Sequence, residues 1–280
     1  MELKNILQLD KEQWRKKWQK YFAIAKVNYQ SQTTYVGNNI GRAVTVLLRI
    51  WIFTQVYQLS YSVMGVSEVN GLTLPMMIWI LMFTQGFQSS ARPPAFRLIG
   101  NEVQAGDLAY TINRPYHYLV YHFFAYMGRV SANFFFNIII GAIAAFVLVG
   151  LVGFSVKGLI LGGCLLLFGY VLDFIISAIL GLCAFWMEDI RALGWIYSKA
   201  LMVLGGQVVP IAMFPDALKK IVELLPFASI FYTPSLLIVN FSWPVFIKFL
   251  LVQIFWLVVL LWVVKKVYQR GVKNLSINGG

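Results

Sequence analysis

Six long apolar runs divide this 280-residue chain, at about 43–64, 72–87, 130–154, 156–185, 192–214 and 244–264. A helix crossing the hydrocarbon core of a bilayer, about 30 Å thick, needs about 20 such residues. Each run supplies them, the second only just. No water-soluble core could hide so much apolar surface: 59% of the residues are hydrophobic and 12% are charged, where an ordinary globular domain has about 25% charged. Because backbone polar groups in lipid must be satisfied within the segment, the runs predict an all-α integral membrane protein of six transmembrane helices.

The charges orient that arrangement. The formal charge of +12 is concentrated on one side: eighteen of the 23 Lys and Arg fall on the side of the N-terminus, four on the other, and Arg49 lies inside the first run. Basic residues collect on the cytoplasmic face, against anionic lipid. Both termini are therefore expected inside, and the positive charge points to a lipid surface, with no nucleic acid as partner.

Residues 1–38 form a cytoplasmic N-terminal segment, and 39–280 the six-span unit. The first segment lacks the short apolar core and small-residue cleavage site of a signal peptide. Within it, 10–29 reads as an amphipathic helix: Trp14, Trp18, Tyr21, Phe22, Ala25 and Tyr29 share a face opposite Glu12, Lys16 and Lys20. Such a helix suits the headgroup region, with Trp14 and Trp18 as anchors; packing on a soluble partner is the alternative. The two cysteines, Cys164 and Cys183, share one run and stand roughly 28 Å apart along a helix, so they read as packing residues.

Between the fifth and sixth runs, Pro210, Pro215, Pro226 and Pro234 punctuate an apolar stretch on the outer side. The pieces are too short to span, which suits re-entrant helices that dip in and turn back; a partly ordered external loop is the plainer reading. On the inner side, 89–122 is the longest polar interruption, with Arg92 and Arg97 around a Pro-Pro, a turn at 102–107, and Asn113-Arg114-Pro115 before an aromatic-rich segment.

The chain lacks the Gly-Lys of a phosphate-cradling loop, the nucleophile-elbow Gly-x-Ser-x-Gly and the metalloprotease His-Glu-x-x-His. His117 and His122 are five apart, outside the i, i+4 geometry that shares a metal, and read as interface residues. No enzyme is indicated. Two charges sit within spans, where a functional role is the default. Arg49 is about 10 Å deep and within reach of the inner interface by snorkelling. Asp173 lies near mid-membrane, facing a polar cavity, a partner subunit, or Arg49. Both are candidates for a translocation path.

Six spans, an N-terminal interfacial helix, a cytoplasmic loop after the second span and proline-broken re-entry before the sixth resemble the ABC-2 type permeases, the membrane subunits of type V ABC exporters. The likeness extends to a group of bacterial ABC-2 permeases in the wording of the loop, Glu102-Val103-Gln104-Ala105-Gly106-Asp107-Leu108-Ala109-Tyr110 and Arg114-Pro115. It is also carried by the outer pattern Pro210…Phe214-Pro215…Leu225-Pro226-Phe227…Pro234. The resemblance implies a bacterial cytoplasmic (inner) membrane location and a dimer with a second permease, identical or different. It implies two copies of an ABC ATPase subunit, which would bind the ATP and Mg; this chain would carry no cofactor. A coupling helix would lie within Ala95–Gln104 and dock on the ATPase, with Gly106 as its stop and Pro115 opening the helix that leads into the third span. Arg97, Glu102, Asp107 and Arg114 would be the charged members of that loop. A secondary transporter using Asp173 and the broken fifth run for ion coupling is the competing reading. A scaffold or lipid-acting enzyme is a third, opposed by the missing catalytic group.

Overall fold

The computed structural model describes residues 2–34, 36–112, 114 and 116–278. Within them, the side chains of 2–14, 17, 36–40, 42, 43, 109, 112 and 274–278 fall outside the description. The chain is helical nearly throughout. It opens with α1 (Glu2–Thr34) and α2 (Val36–Met64), followed by a hairpin of β1 (Glu68–Val69) and β2 (Leu72–Thr73). Asn70 and Gly71, with φ of 51° and 74°, make its two-residue turn. That left-handed pair matches the twist of a tight hairpin, and it is why the second apolar run does not begin as a helix at 72. Helix α3 (Leu74–Ser90) starts after Thr73, with a proline in its first turn.

After α3 come α4 (Ala95–Gln104) and α5 (Leu108–Ile112), then α6 (Tyr118–Val149), α7 (Val156–Leu182) and α8 (Arg191–Leu204). The proline-punctuated stretch folds into α9 (Asp216–Leu224), α10 (Pro226–Ile230) and α11 (Tyr232–Val239), and α12 (Trp243–Asn278) closes the chain. Pro215 caps α9 and Pro226 opens α10, positions where the missing N–H costs nothing.

Three helices among the described residues are long and apolar enough to cross a membrane: Tyr118–Val149, Val156–Phe185 and Trp243–Lys273. The other expected spans differ in length or composition. Helix α2 has 29 residues but carries Arg49, Gln55 and Gln58 along its course. Helix α3 has 17 residues, about 25 Å by the helical rise. The fifth run is helical only to Leu204, where Gly205 caps α8 after 14 residues. The chain then passes through a turn to a single 3-10 turn at Ile211–Met213.

The core forms around α3, whose residues from Met77 to Gln88 are buried without interruption. It is wrapped by α6, α2 and α11. Helix α11 is itself buried on most sides because Gly158 and Gly162 of α7 leave room for its backbone. The stretch after the fifth run is thus packed structure and not a loose loop. The outward faces of α2 and α12 stay apolar and exposed, with Leu48, Trp51 and Ile52 on one and Phe255, Val258 and Trp262 on the other. A face of that kind is at rest only against lipid or protein.

Candidate functional site

Helix α4 is the strongest candidate for a docking element. It begins where Pro94, in extended conformation, prevents the preceding chain from continuing as helix. Its apolar residues sit on one face: Ala95, Phe96, Ile99 and Gly100 are buried. On the other, Arg97, Asn101 and Gln104 make an exposed stripe at i, i+4, i+7 spacing. The helix stops at Gln104, and Gly106 reverses the chain with φ of 76°, as expected of a glycine past a helix end.

Shape fixes α4 on the bundle. Phe96 fits over Gly194 of α8, Ile99 over Gly181 of α7, and Ile190 over Gly100; a Cβ at any of the three glycines would collide. Polar contacts complete the seat. The Gln104 amide donates to the Glu188 carbonyl at 2.5 Å. A cavity of about 220 Å³ lies beside Arg97, Asn101 and Gln104, closed on the far side by Glu188, Asp189 and Arg191.

Glu102 ties α4 to the start of α6. Its Oε2 accepts from the Tyr118 hydroxyl at 3.0 Å and stands 3.1 Å from His122 Nε2. Tyr118 and His122 are buried at 1% and 4% exposure. Burial pushes the Glu102 carboxyl up, but His122, the Tyr118 hydroxyl and the Arg114 guanidinium together hold it below the usual carboxylate range. His122 is therefore not the interface residue expected of it. Its spacing from Glu102 has no helical period, so the partnership had no signal in the sequence. Arg114 donates to the Tyr116 hydroxyl at 3.0 Å on the exposed surface, and Asp107 is exposed beside α5. Pro115 falls outside the described residues; α6 opens at Tyr118, capped by His117.

Arg49 and Asp173, the two charges expected within spans, form no hydrogen bond or ion pair with each other among the described residues. Asp173 is buried among α6, α7 and α8, and its two oxygens accept from the Tyr126 and Tyr197 hydroxyls, each at 2.7 Å. It is 4% exposed. A buried carboxylate with both oxygens hydrogen-bonded acts first as a tie between helices. Arg49 instead donates to Gln85 at 3.2 Å and lines a cavity of about 600 Å³ between α2, α3 and α8. Gln85 in turn donates to the Gln207 carbonyl at 2.7 Å, next to the break after α8.

Helix α1 does not lie free. Tyr21 is 4% exposed, stacks on Phe124 with ring centroids 5.3 Å apart, and accepts from the His117 N–H at 3.2 Å. Arg129 of α6 donates to Asn28 at 3.1 Å, and Gly128 admits the Ala25 backbone. The aromatic face expected to enter headgroups is divided: Tyr21 packs on α6, while Trp18 and Phe22 remain 43% and 64% exposed. The Trp14 side chain lies outside the described residues.

A helical chain with several membrane-length apolar helices and large unpaired apolar faces defines a multi-pass membrane protein. The family model described as ABC-2 family transporter protein matches residues 43–279. The chain belongs to that family and is a membrane component of a transporter. The match begins within α2, so α1 stands outside it. No curated protein matches the sequence.

Proposed function

We propose that this chain is the permease subunit of an ABC exporter, driven through α4 by a separate ATPase subunit that binds the ATP and Mg. The observation that carries this reading is the two-faced seat of α4. Its apolar side is keyed into the inner ends of α7 and α8, while Arg97, Asn101 and Gln104 face outward. A stripe of that kind offers a partner a surface, and its seating passes a displacement to the bundle.

The finer arrangement belongs to the same proposal. The chain crosses a bacterial inner membrane six times, with both termini cytoplasmic, in keeping with the eighteen-to-four split of basic residues. Pro210, Pro215 and Pro226 shape α9–α11 into re-entrant pieces on the outer side. The exposed face of α2 pairs with a second permease, and two ATPase copies complete the assembly. Ion coupling through Asp173 gains no support, because both its oxygens already accept tyrosine hydroxyls.

The test is purification of the full chain from native membranes, followed by ATP hydrolysis by whatever co-elutes. Wild type brings an ATPase with it. Gly106→Val forces a β-branched residue into a left-handed conformation, at a cost of about 1 kcal/mol or more, and misaims α4. Arg97→Glu inverts the charge of the exposed stripe and weakens docking in a salt-dependent way. Full ATPase recovery and full activity in both variants overturn the role of α4.

A further inference from the structure

The cavity between α2, α3 and α8 has a chemistry of its own. Arg49, Arg92 and Lys199 line it, and among its described lining residues there is no carboxylate. Arg92 lies within electrostatic reach of Arg49 and Arg97, which repel it, and of Asp173. That acid is the counter-charge nearest to hand, yet it stands behind the wall with each oxygen held by a tyrosine. All three cations are exposed where they line the cavity, and two arginines that repel each other beside a lysine gather positive charge that an anion would offset.

The wall also holds polar groups with unmet capacity. Gln207 and Asn137 both line the cavity and are 3% and 1% exposed. The Gln207 side-chain nitrogen and the Asn137 side-chain oxygen make no hydrogen bond within the protein. The Gln207 Nε2, left open beside these cations, is a donor awaiting an acceptor. The volume, about 600 Å³, is that of a small-molecule site. Its remaining wall is partly apolar, with Phe53, Met202 and Val208.

We propose that this cavity receives the phosphate group of an anionic amphiphile, held by Arg49, Arg92 and Lys199 with the Gln207 amide. This rests on the transporter reading above and names the class of substrate such a transporter takes. Arginine forks and a lysine point charge are the groups suited to a phosphate, and the apolar wall suits the tail. A phosphate could come from a lipid headgroup or from a soluble ion, and the experiment separates the two.

The purified full-length chain in a neutral maltoside detergent is titrated calorimetrically with dihexanoyl phosphatidic acid, dihexanoyl phosphatidylcholine and inorganic phosphate. Phosphatidic acid binds saturably, at least about tenfold tighter than the choline-headed lipid, since each charged hydrogen bond is worth about that factor or more. Arg92→Gln and Lys199→Gln each weaken binding about tenfold, Arg92→Lys keeps most of it, and Lys157→Gln, a cation outside the cavity, changes nothing. Lys199 is exposed, its ammonium over the Trp195 ring, so its replacement leaves the core intact and keeps the test open should the arginine variants fail to fold. If inorganic phosphate competes, the free ion alone satisfies the site; if it does not, the lipid is the ligand. Equal affinity for the two lipids, or undiminished affinity in Lys199→Gln, overturns the proposal. No ATPase takes part, so a failure here leaves the coupling role of α4 standing, and a failure of copurification leaves this site standing.

Discussion

At the scale of single residues, two tyrosine-bonded carboxylates do unlike work. Glu102 is a tie between α4 and α6 whose carboxyl is held below its usual range. A depressed carboxyl adds stability above the ordinary glutamate value, about 4.3, and loses it as pH falls through the lower folded value. Glu102→Ala leaves the Tyr118 hydroxyl and the His122 ring without their acceptor, at about 1–3 kcal/mol. Thermal unfolding should therefore show a gap between wild type and variant that is full at pH 6 and closes as pH drops below about 4. A gap independent of pH down to about 3 would mean that the charge of Glu102 contributes nothing to the tie. Asp173 is an internal strut. Asp173→Leu strands the Tyr126 and Tyr197 hydroxyls, each a buried group worth about 1–3 kcal/mol, whereas Asp173→Asn keeps an acceptor for one of them and should cost less. Equal unfolding temperatures for the two variants would contradict the strut.

Among elements, α4 was placed by the resemblance of the loop to ABC-2 permeases, with Gly106 as its stop, and its attachments were not legible. The helix found there buries Ala95, Phe96 and Ile99. The sockets at Gly181 and Gly194 lie about eighty or more positions downstream, and no local period links them to it. The same holds for Glu102 with His122, and for Tyr57, whose hydroxyl donates to the Val208 carbonyl across 151 residues. The fifth apolar run, 192–214, reads as broken at Gly205, Gly206 and Pro210, and α8 ends at the first of these, with Gly205 as its cap. Helix α1 differs: an apolar face was legible, but part of that face meets α6 and not lipid. Gly128→Val should displace it, since any side chain there meets the Ala25 backbone, and overpacking costs about 1–3 kcal/mol. Faster proteolysis near Lys26 and altered Trp18 fluorescence would report the detachment; wild-type resistance would show that α1 is held elsewhere.

For the whole molecule, the arrangement in the membrane is the open quantity. In a background with Cys164 and Cys183 replaced, cysteines at Ser31 and Asn274 should be shielded from an impermeant thiol reagent in intact cells. One at Asp216 should react. Labelling at either terminus from outside would falsify the six-crossing arrangement. The residues that decide this are spread over both surfaces, so it follows from the charge of the entire chain and from no single element.

The sockets under α4 also set a direction of force. A side chain resting in a glycine notch resists being pushed further in and offers little against being drawn away, like a ball in a cup. Tension on α4 must be borne elsewhere, by the Glu102 tie to Tyr118 and His122 and by the Gln104 bond to Glu188. A partner pressing on the exposed stripe would thus load α7 and α8 through shape, whereas its retreat would load α6 and the α7–α8 connection through hydrogen bonds. Only the return stroke would then reach α6.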